Sequence, residues 1–556
     1  MPDGRPLIVQ SDLSLLLDAH DPSFEEARAE LGVFANLEKS PEHMHSYRIT
    51  PLSLWNAASA GLDADALGAT LARWSRYEVP ESVLVSARET IARFGRLSLR
   101  EADAEGRTLR LVCADPRVAA ELGASKRLRK WLEPDGADFL VKLVDRGTVK
   151  QELIRLGWPV RDEAPLADGD PFELRLRDET LAGRPFALRA YQTDAASAVL
   201  GDRGPGSGYG VAVLPCGAGK TVVAMAAMAG IGRKTLVVTT NVAAVHQWID
   251  ELLDKTWIRR EDVGEYTGGA KDVRPITIAT YQVLVWRPDK ESDFPHFELF
   301  RREKWGLIVY DEVHLLPAPV FRVVAEIQAV RRLGLTATLV REDGREEDVF
   351  ALIGPKRYDA PWKDLERRGF IAEAVCREIR VPLPERDQVR YAVAELRQKY
   401  RLAAENHAKL EVVRELVENH PEDHILVIGQ YLDQLGHLAK LLNAPIITGK
   451  TPNPERERIY ADFKAGRARV IVVSKVANFA IDLPDASVAI QVSGAFGSRQ
   501  EEAQRLGRIL RPKQRNSHFY SIVSRWTVEE EFAANRQRFL AEQGYRYAIE
   551  AWDETP

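Results

Sequence analysis

Two stretches of the chain share one rhythm of apolar and polar positions. From about residue 186, short and nearly continuous apolar runs (VAVLP, TLVVTT, ITIAT, LIVYDE, RLGLTAT) alternate with longer polar or amphipathic segments. Strands that are apolar on both faces and separated by helices predict a parallel sheet covered on both sides. The rhythm stops in the charged stretch 380–409 and restarts with HILVIGQY, APIITG, RVIVVS and VAIQVS. The pattern therefore predicts an α/β protein with two lobes in tandem. Residues 1–180 read differently, as an α+β domain of one or two subdomains. There RTLRLVC alternates like a strand, and VKQELIRLGWPV carries Leu153, Ile154 and Leu156 at helical spacing until Gly157 and Pro159 stop it. The expected boundaries are 1–180, a first lobe 181–365, a linker with a short thumb-like segment 366–409, and a second lobe 410–556. The Asp- and Pro-containing stretch 161–185 reads as a linker, and TVEEEFAANRQRFLAEQG as a closing helix. SKRLRKWL reads as an amphipathic helix with Leu128, Trp131 and Leu132 on its apolar face, or as a basic DNA-contacting patch.

Composition narrows the class. The 556 residues carry 77 Lys and Arg against 82 Asp and Glu, a net charge of −5. That excludes a bulk-basic nucleic-acid binder but leaves room for a locally basic channel. No apolar run is long enough for a membrane span, and the amino-terminal stretch makes a poor signal peptide. The three cysteines, Cys113, Cys216 and Cys376, lie too far apart for a disulfide framework. A cytoplasmic setting is expected.

The sharpest chemical feature is LPCGAGKT, where a strand enters a glycine-rich turn that opens a helix. The backbone of Pro215, Cys216, Gly217, Ala218 and Gly219 can curl its N–H groups around a phosphate at the helix amino terminus. Lys220 would reach the β and γ phosphates, and Thr221 would hold Mg²⁺. Leu214 stands where the strict phosphate-loop pattern has glycine. Downstream, the apolar strand in WGLIVYDEVH ends at Asp311 and Glu312. Asp311 there suits Mg²⁺, and Glu312 suits the attacking water of ATP hydrolysis. In QRLGRILR, Arg505, Arg508 and Arg511 recur at helical spacing and share a face. They read as arginine fingers or as a solvated basic helix.

In this order the motifs resemble superfamily 2 helicases, and more closely the XPB family in its bacterial form. LPCGAGKT is similar to that family's motif I and YDEVH to its motif II. LRAYQ resembles the adenine-reading segment, which implies Arg189 and Gln192 as adenine contacts. NVAAVHQW, TGG and ATYQ resemble the first-lobe nucleic-acid motifs, GLTATLVRED motif III with the family's RED element, VSKVANFAIDLPDA motif V, and EEAQRLGRILRP motif VI. Near the amino terminus, SPEHMHSYRITPLSLWNA and VKQELIRLGWP resemble the family's helicase-associated domain. Motif V departs from many superfamily members in having Ala480 and Ile481 before Asp482.

The resemblance implies two RecA-like lobes that use ATP and Mg²⁺ to move on DNA in the 3′ to 5′ direction, in repair such as nucleotide excision. It implies catalytic roles for Lys220, Asp311, Glu312, Arg508 and Arg511, with Arg505 and Asp482 at the nucleotide. Thr240, Asn241, Gly268, Gly269, Thr280, Gln282 and Ser474 would meet nucleic acid. Hydroxyls, amides and open glycine backbone can contact phosphates without adding positive charge. The same loops also suit plain strand-to-helix connections with N-caps. His314, Thr336, Thr338 and Gln504 would couple the nucleotide to movement, although a lone histidine also serves structure. Arg341, Glu342 and Asp343 would help separate strands, or form a charged hinge. The expected partners are single-stranded, duplex or forked DNA and an accessory nuclease or repair protein, with no membrane and with the oligomeric state open. The location would be the nucleoid if the chain is bacterial. The competing function is an ATP-gated scaffold on DNA that positions a partner enzyme and unwinds little itself.

Overall fold

A computed structural model describes residues 5–39, 43–103, 108–142, 145–163, 168–201, 208–215, 217–288, 295–296, 303–315, 329, 331–337, 346–360, 362–370, 373–474, 486–493, 517–542 and 547–552. The chain forms two compact units. One holds Met1–Val213 and Gly219–Asp359, the other Leu214–Ala218 and Ala360–Pro556.

The first unit opens with two small sheets. Strands β1 (Leu7–Val9), β2 (Ser14–Asp18), β3 (Asn36–Lys39) and β4 (Met44–Arg48) pair antiparallel in the order β1-β2-β4-β3. Leu15 and Leu17, two apart on β2, share its buried face. Strands β5 (Leu97–Glu101), β6 (Thr108–Cys113), β7 (Glu133–Asp135), β8 (Asp138–Lys142) and β9 (Val160–Asp162) form a mixed sheet in the order β7-β8-β6-β5-β9. Burial alternates along β6, as RTLRLVC predicts. Leu97, Leu111, Leu122 and Leu153 share one apolar core with Leu128. The basic segment SKRLRKWL forms turns, which corrects the expected helix. Its apolar residues still pack, because Leu128 is fully buried and Lys130 Nζ sits 3.9 Å from the Trp131 ring centre.

Of the stretch expected as a linker, the described residues 168–185 are tied down along their length. From Asp168 onward they run as a strap over the first lobe. Backbone N–H groups of Asp170, Phe172 and Arg177 donate to the carbonyls of Lys304, Gly232 and Lys255. Gly169 and Gly306 touch backbone to backbone, so a β-carbon on either would overlap the other strand of chain. The start of the segment is anchored by burial. Asp162 accepts from Arg146 Nε at 2.9 Å and from Lys150 Nζ at 2.8 Å, all three residues being buried. Burial pushes the Asp162 carboxyl up, but Arg146, Lys150 and the first-lobe Arg332 overcome it and hold the group well below the usual carboxylate range. Helix Arg146–Arg155 also packs on helix Glu346–Leu352, with Arg155 paired to Asp348 at 3.5 Å.

The first lobe is a seven-stranded sheet built from β10 (Tyr209–Val213), β11 (Thr235–Thr239), β12 (Val263–Tyr266), β13 (Ile276–Thr280), β14 (Leu307–Asp311), β15 (Arg331–Thr336) and β16 (Lys356–Asp359). All neighbours are parallel, in the order β12-β13-β11-β14-β15-β10-β16. Every residue of β11 and β13 is buried, as two-sided helical cover requires.

The second unit repeats the plan with β17 (Ala374–Val381), β18 (Ile425–Gly429), β19 (Ile446–Ile447), β20 (Val470–Ser474), β21 (Val488–Gln491), β22 (Ser517–Ser524) and β23 (Tyr547–Ala551). The order is β19-β20-β18-β21-β22-β17-β23, again all parallel. Strand β17 lies within the stretch 366–409 and belongs to this sheet. Its sequence AVCREIRV carries three charged residues, Arg377, Glu378 and Arg380, which disguise a strand paired on both sides. Helices Glu385–Val393 and Leu396–Ala404 follow it within that stretch. The closing helix is Val528–Glu542, and β23 follows it to pair with β17. Lys409 and Glu529 form a buried ion pair at 2.7 Å between helix Ala408–Glu418 and the closing helix. Cys113 and Cys376 are buried. Among the described residues no helix is long and apolar enough to cross a membrane.

Candidate nucleotide and nucleic-acid site

Strands β14, β15 and β10 are neighbours, so the loops at their carboxyl ends converge. After β10 the chain turns through Gly217 and Gly219, both at positive φ, and enters helix Lys220–Ile231. Gly219 cannot be replaced without strain, since its φ is +79° and a β-carbon would stand 2.6 Å from Gln192 Nε2. That contact sets Gln192 against the glycine turn. Gln192 is itself buried and accepts from the Arg189 backbone N–H at 3.0 Å, while the Arg189 guanidinium donates to the Tyr191 hydroxyl at 3.2 Å. Pro215 and Ala218 are buried in the turn, and Thr221 follows Lys220 in the first helical turn. Two left-handed glycines before a helix amino terminus, with lysine and threonine at its start, fit a phosphate with its cation.

Glu312 lies just past the end of β14 with φ +49°, a left-handed backbone that costs an L-residue roughly 1–2 kcal/mol. Its carboxylate accepts from Lys220 Nζ at 2.7 Å. Its other oxygen lies 3.4 Å from His314 Nδ1, which shares a hydrogen of 2.5 Å span with Thr336 Oγ1 at the end of β15. Lys220, Glu312, His314 and Thr336 thus form one polar chain across three neighbouring strand ends. His314 is almost fully buried.

Asp311 is held by groups that motif reading alone does not single out. Trp248 Nε1 donates to its Oδ2 at 2.9 Å and Thr239 Oγ1 at 3.3 Å, and the Tyr281 hydroxyl donates to its backbone carbonyl at 2.8 Å. Burial and the neighbouring Glu312 raise the Asp311 carboxyl above its ordinary range, against Lys220, Trp248 and Thr239. The available signal was the indole of NVAAVHQW, since a tryptophan buried in a lobe needs a partner for its N–H.

The candidate nucleic-acid loops follow β11, β12 and β13, the three strands on the other side of β14. Gln282 Nε2 donates to the Thr240 carbonyl at 2.7 Å and so ties two of these loops together. Asn241 caps helix Val242–Lys255 through a 2.9 Å bond from Ala244 N, and its amide donates to Thr240 Oγ1, so the capping reading of this residue is realised. Gly268 and Gly269 are exposed, with nothing within 4 Å of where a β-carbon would stand. Gln282 is exposed, whereas Thr280 is buried at the end of β13. In the second unit Ser474 is buried at the end of β20. Cys216, Thr338, Arg341, Glu342, Asp343, Asp482, Gln504, Arg505, Arg508 and Arg511 lie outside the described residues.

A parallel sheet with its phosphate-loop turn, lysine and Asp–Glu pair at adjacent strand ends defines a RecA-like ATPase lobe, and the second sheet supplies the tandem repeat of helicase motors. Comparison with known families agrees. ERCC3/RAD25/XPB C-terminal helicase matches residues 365–554, Type III restriction enzyme, res subunit matches 185–341, and Helicase conserved C-terminal domain matches 7–134. The chain is 52% identical to "DNA 3'-5' helicase XPB" of Kineococcus radiotolerans over 99% of its own length and 97% of that protein. It is 50% identical to the protein of the same name from Mycobacterium tuberculosis, over 100% and 99% of the two chains. It is 30% identical to the "General transcription and DNA repair factor IIH helicase/translocase subunit XPB/SSL2" of Saccharomyces cerevisiae, over 98% of this chain and 72% of that one. The chain belongs to the XPB family of helicases.

Proposed function

We propose that the chain is an ATP-driven DNA helicase or translocase moving 3′ to 5′ and serving DNA repair. Full-length identity to bacterial relatives of that name supports the activity. The observation that carries the residue assignment is the Lys220–Glu312 pair beside Asp311, at the mouth of the glycine turn. ATP supplies the phosphoanhydride and Mg²⁺ the charge that steadies it. Lys220 would reach the phosphates, and Thr221 with Asp311, whose carboxylate is fixed by Trp248, would hold Mg²⁺. The Lys220–Glu312 pair opens when Lys220 turns to phosphate, and Glu312 is then free to orient water and take its proton. His314 passes that change to Thr336 at the end of β15. By the resemblance of EEAQRLGRILRP to motif VI, Arg508 and Arg511 would complete the charge at the γ-phosphate, and the strand-end loops would grip the DNA backbone without reading its sequence.

The test is ATP hydrolysis alone and with single-stranded DNA, duplex, a 3′-tailed fork and RNA, with Lys220→Ala as the blank. Stimulation by DNA that vanishes in the blank is expected. Hydrolysis indifferent to every nucleic acid would turn the reading toward the ATP-gated scaffold.

A further inference from the structure

Trp286 lies just beyond the short helix Tyr281–Leu284 that follows β13, and 53% of it is exposed. Its indole is backed by His296, ring centres 5.5 Å apart. His296 is held in turn by Tyr266, with Nδ1 2.9 Å from the tyrosine hydroxyl and the rings edge to face at 5.6 Å. Lys271 Nζ sits 4.7 Å from the centre of the Tyr266 ring and donates to the Thr267 carbonyl. A large aromatic is thus braced on one side and open on the other. Tyr266, at the base of this brace, ends β12 just before the exposed Gly268–Gly269 turn and carries Lys271 on its ring, and the exposed Arg287 follows Trp286 in the chain.

Two tryptophans of this lobe are strongly exposed among the described residues, and position separates them. Trp257, 63% exposed, precedes β12 and so lies toward the amino ends of the strands, covered on one face by Arg177 at 4.1 Å. Trp286 lies at the carboxyl ends, on the side of the loops after β11, β12 and β13. An indole face among loops that carry cations and open backbone matches an unpaired nucleobase, whose ring stacks while its phosphates meet the cations and N–H groups.

We propose that Trp286, braced by His296 and Tyr266, is a stacking platform for an unpaired base of single-stranded DNA. The inference rests on the reading that the neighbouring loops bind nucleic acid. The platform adds a contact to the base itself, where those loops offer only backbone contacts. Burial, with Lys271 nearby, lowers the His296 basicity.

The experiment measures affinity of the full chain for two strands of equal length, oligo-dT and the same backbone with abasic sites. Trp286→Ala is expected to bind oligo-dT about 5- to 10-fold more weakly and the abasic strand unchanged. Trp286→Phe should recover most of the affinity, and Trp257→Ala should bind as the parent. An equal loss on both strands, or no loss on oligo-dT, overturns the platform. Failure of the parent to bind either strand overturns the nucleic-acid reading beneath it, and the platform with it. The unfolding midpoint of Trp286→Ala should match the parent, since an indole already half in water leaves a small cavity; a large fall with loss on both strands counts against the proposal.

Discussion

Glu312 has two partners and a strained backbone, so its substitution separates binding from turnover. Glu312→Gln keeps the shape and a weaker link to Lys220, but it cannot take a proton. It is expected to bind ATP and DNA while hydrolysis falls by about 10²- to 10⁴-fold, read by single-turnover assay beside a filter-binding measurement. Undiminished turnover would remove Glu312 from the water-activating role. Trp248 offers a second residue-scale test. Trp248→Phe deletes the 2.9 Å bond to Asp311 Oδ2 and keeps the aromatic packing. Loss of such a bond behind a metal ligand should raise the Mg²⁺ concentration for half-maximal hydrolysis by about tenfold or more. An unchanged Mg²⁺ titration would show that Thr239 and the backbone suffice.

At the scale of elements, the strap from Asp168 depends on glycines at its contact with Gly306. Gly306→Ala would press a methyl carbon into Arg233 Cβ and to 2.7 Å from the Asp168 carbonyl. Overpacking of this kind costs about 1–3 kcal/mol, expected as a lowered unfolding midpoint with the DNA-stimulated rate intact at low temperature. The two lobes were legible because β10, β11, β13, β14 and β15, and β18 to β21, are apolar on both faces. Strands β12, β16, β17, β22 and β23 were not named from the pattern. VGEY and KRYD are short or polar edge strands, and the charges of AVCREIRV mask a strand paired on both sides. The strap was misread because its ties are backbone hydrogen bonds, which leave no side-chain signature. At the site, Lys220, Glu312, His314 and Thr336 could be named from motifs that also carry their spacing. Trp248 and Tyr281 stand inside NVAAVHQW and ATYQ, but their bonds to Asp311 join strands distant in sequence and show only in the fold. The basic run at 125–132 shows the reverse error, where helical spacing of Leu128, Trp131 and Leu132 is met by successive turns.

At the scale of the whole molecule, the amino-terminal region is bound to the first lobe by a buried cluster with three cations and one carboxylate: Arg146, Lys150, Arg332 and Asp162. Asp162→Ala would leave the cations without their anion and should cost about 3–5 kcal/mol, measured by denaturant unfolding. The same cluster makes stability depend on pH. Burial first, then Arg332 and Arg146, push the Lys150 ammonium down to about 7 from an ordinary 10.5, against the pull of Asp162. Between those values the unfolded chain binds a proton that the folded chain lacks, so this group makes stability rise as pH rises from 7 toward 10.5. Lys150→Met should flatten that rise, seen by unfolding at pH 7, 8 and 9; an unaltered slope would show that Lys150 stays charged. The strap has a consequence for dissection. A fragment begun at residue 181 would lose Asp168, the anion paired with Arg233 at 2.6 Å and Arg331 at 2.6 Å, and would strip Arg332 of Asp162. The motor is therefore not a cassette that can be cut free at 180, and an expression fragment of the first lobe has to carry everything before it through Asp359.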